Sequence, residues 1–104
     1  GKMRAIAVTS EARLPGIDVP TLKEQGIDVA IGNWRGVYGA GGISAAQRKT
    51  LTDRVVAATK SKSWAASLEK NQWTPALLAG PAFETFVDTE FASLRAVMVK
   101  SGMV

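Results

Sequence analysis

The chain has 104 residues and contains neither cysteine nor histidine. These two absences exclude much chemistry. No disulfide framework can form, and no cysteine-based zinc site or iron–sulfur cluster. No Ser-His-Asp triad, Cys-His dyad or imidazole acid–base pair can be built from these residues alone. No apolar run approaches the roughly 20 residues of a membrane-spanning helix. The start, Gly1-Lys2-Met3-Arg4, leads into Ala5-Ile6-Ala7-Val8, which is too short for a secretory hydrophobic region. A removed targeting segment, or a natural start further upstream, is expected. The length suits one small domain.

There is an excess of positive charge, 13 Lys+Arg against 9 Asp+Glu. It is local. Arg35, Arg48, Lys49, Arg54, Lys60, Lys62 and Lys70 face only Asp53 and Glu69, while the rest of the chain is balanced. A nucleic-acid surface would interleave exposed aromatic rings with such cations. From Arg48 to Trp73 the only aromatics are Trp64 and Trp73, at positions that read as core. The charges are read as solvated helix faces, and no nucleic-acid partner is expected.

Local signals divide the chain in two. Residues 4–9, 27–31 and 34–38 are short runs with strand character. Between the first two, Thr21 and Glu24 are spaced as a capping box, and Gly26 supplies a left-handed stop. Ser44 and Gln47 form a second box, opening a helix over residues 45–59 with Leu51, Val55 and Ala58 on one stripe. A shorter helix covers residues 61–71. Gly80-Pro81 starts the last, with Glu84 as a first-turn acid, and Gly102 closes it. Its stripe is Phe83, Val87, Phe91, Leu94 and Met98. Strands followed by helices predict an α/β fold. Three short strands make a poor sheet, so the chain is expected to be a piece of a larger α/β protein or to have its sheet completed by another chain.

Few residues nominate themselves for chemistry. The carboxylates Asp18, Glu24 and Asp28 are close in sequence, but Glu24 is read as a cap. The turn Gly39-Ala40-Gly41-Gly42 precedes a helix without matching the known phosphate-loop patterns. No constellation supports an enzyme, a metal site or a cofactor. Asn33-Trp34-Arg35-Gly36 is more informative: Arg35 can grip a carboxylate with its planar fork, and Asn33 can add a donor.

The blocks Lys2-Met3-Arg4-Ala5-Ile6-Ala7-Val8-Thr9-Ser10, Arg13-Leu14-Pro15, Asp18-Val19-Pro20-Thr21-Leu22-Lys23-Glu24-Gln25-Gly26 and Asn33-Trp34-Arg35-Gly36-Val37-Tyr38 come in a specific order. In that order they resemble the substrate-binding proteins of tripartite tricarboxylate transporters, the TctC or Bug family. The likeness continues through Gly42-Ile43-Ser44 to the final helix. It departs at Gly39–Ser44, where many members carry a proline-containing turn. The resemblance implies the C-terminal third of a two-domain periplasmic-binding-protein (Venus flytrap) fold. Residues 1–31 would belong to domain 2, and 32–104 to the hinge and domain 1. It implies a non-enzymatic, periplasmic protein that captures citrate or another small carboxylate for the membrane subunits of a transporter. Thr9, Ser10, Asn33 and Arg35 are the ligand-binding candidates. The alternative is a ligand-free structural module that self-associates through the Phe83–Met98 stripe or a strand edge.

Overall fold

A computed structural model describes all 104 residues. The chain divides into an N-terminal unit, Gly1–Gly36, and a C-terminal unit, Val37–Val104. The regular elements are one 3-10 turn, Lys23–Gln25, and three α-helices: α1 (Ala45–Ala58), α2 (Lys62–Asn71) and α3 (Gly80–Lys100). There is no sheet. The sequence-based α/β expectation is therefore overturned: the chain is three helices and one turn, with a single β-bridge. Of the three expected strands, only Val8 makes a bridge, a parallel one to Thr21.

The reason lies in how the two kinds of element satisfy their backbone. A helix closes its hydrogen bonds within a few residues, and a cap can start it. A strand needs a neighbour along its whole length, and a parallel neighbour lies a dozen or more residues away. Residues 4–9 find such a partner at only two points. Val8 N donates to the Pro20 carbonyl at 3.0 Å, and Leu22 N donates to the Val8 carbonyl at 3.1 Å. On the other side, Ile31 N donates to the Thr9 carbonyl at 2.8 Å. Residues 34–38 form no regular structure.

The helices follow their local signals closely. Ser44 accepts from Gln47 N at 3.1 Å, and the Gln47 side chain accepts from Ser44 N at 2.9 Å, completing the expected box. Ser61 caps α2 by accepting from Trp64 N at 3.1 Å. Pro81 sits in the first turn of α3. Because α3 starts at Gly80, Glu84 falls beyond the first turn and is not the dipole partner the sequence suggested. It instead pairs with Arg48 of α1.

Three helical segments end in one way. Gly26, Gln72 and Gly102 all adopt left-handed backbone, with φ of 89°, 55° and 74°. After each, the chain donates back into the last turn: Ile27 N to the Leu22 carbonyl, Trp73 N to that of Leu68, and Met103 N to that of Met98. These are Schellman closures. Gln72 is the one site among them without glycine.

No apolar side chain is buried, and no two helices pack along their lengths. Trp64 and Trp73, read as core from the sequence, are exposed. In the C-terminal unit the rings of Tyr38 and Phe83 meet at 5.8 Å between centroids. The chain exposes 9013 Å². A mass of 11.0 kDa would expose roughly 6,700 Å² even as two separate compact bodies. No helix is long and apolar enough to cross a membrane.

Candidate functional site

The N-terminal unit is organised around a polar residue. Thr21 is the only buried side chain, 1% exposed. Its hydroxyl accepts from Glu24 N at 3.1 Å, and its own N–H donates to Glu24 Oε2 at 2.8 Å. This is the capping box expected from the sequence. The Gln25 amide adds a brace, donating to the Thr21 carbonyl at 3.2 Å and to the distant Ile6 carbonyl at 2.9 Å. Residues 20–25 thus hold the segment that contains Val8.

Around this turn the charges are consumed in pairs. Arg13 reaches both Asp18, at 2.9 Å, and Glu24, at 3.0 Å. Lys23 reaches Glu11 at 2.7 Å and Asp28 at 3.9 Å. The hydrogen bond from Arg13, then the one from the Thr21 backbone, holds the Glu24 carboxyl below its ordinary pKa. The same contact with Glu24 raises Arg13, and Glu11 raises Lys23. Two cations interleaved among four carboxylates produce ion pairs, and no cluster able to hold a metal ion forms.

Four residues were singled out as ligand-binding candidates, and the structure brings their segments together. Thr9 is joined to Ile31 twice: the Ile31 N–H donates to the Thr9 carbonyl, and the Thr9 hydroxyl donates to the Ile31 carbonyl at 3.0 Å. Ser10 follows directly. Asn33 and Arg35 lie two and four residues beyond Ile31. A chain advances at most ~3.6 Å per residue, so their Cα atoms lie within about 7 and 14 Å of Ile31. All four belong to the N-terminal unit.

The Thr9 hydroxyl hydrogen is directed to Ile31, and the Ser10 hydroxyl donates to the Ala12 carbonyl at 2.7 Å. An anion needs hydrogen-bond donors, so in this arrangement the two hydroxyls hold the loop in shape. The Asn33 amide and the Arg35 guanidinium are the groups suited to a carboxylate. Both residues are exposed, with half-buried Trp34 between them. Sequence reasoning did not nominate Gln25 or Ile31, which hold these segments together. Their bonds run to backbone 19 and 22 residues away, and nothing local marks such contacts.

Two open concavities lie elsewhere. One is formed by Ile43, Ala46, Gln47, Thr50 and Leu51 at the start of α1, the other along α3, and neither includes a predicted ligand residue. The glycine-rich turn reaches α1 through Gly42, at φ 81°, and the Ser44–Gln47 box occupies the helix start. Comparison with protein families, with curated proteins and with solved structures finds no match to this chain.

Proposed function

We propose that this chain is a solute-binding component of a tripartite tricarboxylate transporter. It captures citrate or another small carboxylate in the periplasm for the membrane subunits, and carries out no chemistry on it. The resemblance of the Thr9-Ser10 and Asn33-Trp34-Arg35-Gly36 blocks to such binding proteins motivates the reading. The observation that carries it is the double link between Thr9 and Ile31, which draws both blocks into one neighbourhood. There Arg35 supplies charge and a planar fork, and Asn33 a neutral donor. A net charge of +4 favours anion capture.

Calorimetric titration of citrate into the chain and into Arg35→Ala tests this. Charge-assisted hydrogen bonds contribute enough that the variant should bind about 10–100-fold more weakly, with Arg35→Lys in between. Equal citrate affinity in all three proteins, or no binding by any, contradicts the reading. A second reading is an interaction module with no ligand. The exposed apolar residues of α3 favour it.

A further inference from the structure

Every residue of α3 from Phe91 to Lys100 is exposed, while Phe83, Phe86, Val87 and Glu90 in its first half are half-buried. Phe91 is 67% exposed, Leu94 54% and Met98 39%. Residues three and four apart share one helix face. Val87, Phe91, Leu94 and Met98, spaced four, three and four, form one stripe. That spacing is the same from either end. A second copy of α3, turned end over end about the middle of the stripe, sets Phe91 against Leu94 and Val87 against Met98.

The charges fit the same operation. Asp88 and Arg95 stand seven residues apart, on one flank of the stripe. Neither is in an ion pair within its own chain. Antiparallel two-fold pairing places Asp88 of one copy beside Arg95 of the other, and does so twice. On the opposite flank, Glu90 meets the partner's Val97 and Ser101, so no like charges face each other. The two helix dipoles also run in opposition, each positive end beside a negative one.

We infer that α3 pairs with α3 of a second copy of this chain, antiparallel, with Phe91 and Leu94 at the two-fold axis and reciprocal Asp88–Arg95 ion pairs on one flank. The inference deepens the second reading above and is independent of carboxylate binding. The 21 residues of α3 span roughly 31 Å. One such stripe covers less than the roughly 800 Å² per partner of a standard stable interface. The dimer is therefore weak, with a dissociation constant on the order of 10–100 µM.

Sedimentation equilibrium of the full chain at low salt tests the pairing, with helix content followed by circular dichroism. The expected result is a monomer–dimer equilibrium. Asp88→Arg and Arg95→Asp each weaken it about tenfold, and the double exchange restores it to within about twofold. Restoration by the double exchange also shows that neither single variant acts by unfolding. Leu94→Glu, at an exposed position, leaves a monomer. A monomer at all concentrations up to about 1 mM overturns the inference. So does growth past the dimer. A dimer insensitive to the charge exchanges overturns the antiparallel pairing, while leaving an interaction module in place.

Discussion

Each of the two units is ordered internally in its own way. In Val37–Val104, most order comes from neighbours in the sequence, Ser44 with Gln47, Ser61 with Trp64 and the closure after Met98, and the distant pairs Arg48–Glu84 and Tyr38–Phe83 add to it. In Gly1–Gly36, much of it comes from residues far apart: Val8 with Pro20 and Leu22, Thr9 with Ile31, Gln25 with Ile6. The first kind builds helices without needing a core, and none is present. The second builds no regular element beyond one turn, yet it joins the segments that carry the candidate ligand residues. In this chain, regular secondary structure and the joining of distant segments are found in different places.

Substitutions can separate the two regimes. The largest effect is expected for Thr21→Val. It removes the buried hydroxyl and leaves Glu24 N without its acceptor, weakening the N-terminal unit by about 1–2 kcal/mol. Amide exchange at Leu22 and Ile31 should quicken, while α1 and α3 stay unchanged. Ser44→Ala is the converse. It should destabilise α1 by about 1 kcal/mol, visible as faster exchange near Gln47, with no change at Ile31. Gln72→Gly should stabilise the end of α2 by about 0.5–1 kcal/mol, because glycine adopts a φ of 55° without the Cβ clash. Slower exchange at Trp73 would register this gain.

The smallest separation comes from acid. Glu24 has a lower pKa folded than unfolded, so its contribution is present above the ordinary carboxylate range. It is lost as pH falls through the depressed folded value. On acidification below that range, the Arg13 and Thr21 contacts should loosen first, before the neutral caps of α1 and α2. Amide shifts of Thr21 and Glu24, followed against those of Gln47 and Trp64, would show the order.

The same contrast explains what could be read from the residues alone. Both capping boxes, the extent of α1, α2 and α3, and the stops at Gly26 and Gly102 follow from patterns within a few positions. The strands did not form because Ala5-Ile6-Ala7-Val8 and Ile27–Ile31 carry strand propensity but no continuous partner. Propensity says nothing about whether a neighbour exists. Tryptophan at helical spacing likewise suggested core, but Trp64 had no second helix packed over it. Thr9, Ser10, Asn33 and Arg35 were legible as chemical types. That Thr9 and Ser10 direct their hydroxyls to Ile31 and Ala12 was not, since that depends on the folded backbone.

The most direct measurement is a ¹⁵N–¹H correlation spectrum of the chain titrated with citrate. Binding at the Thr9–Ile31 junction predicts saturating shifts at Thr9, Ser10 and residues 31–36, with α1, α2 and α3 unmoved. Shifts confined to the cations of α1 and α2, or no shifts at all, would contradict it.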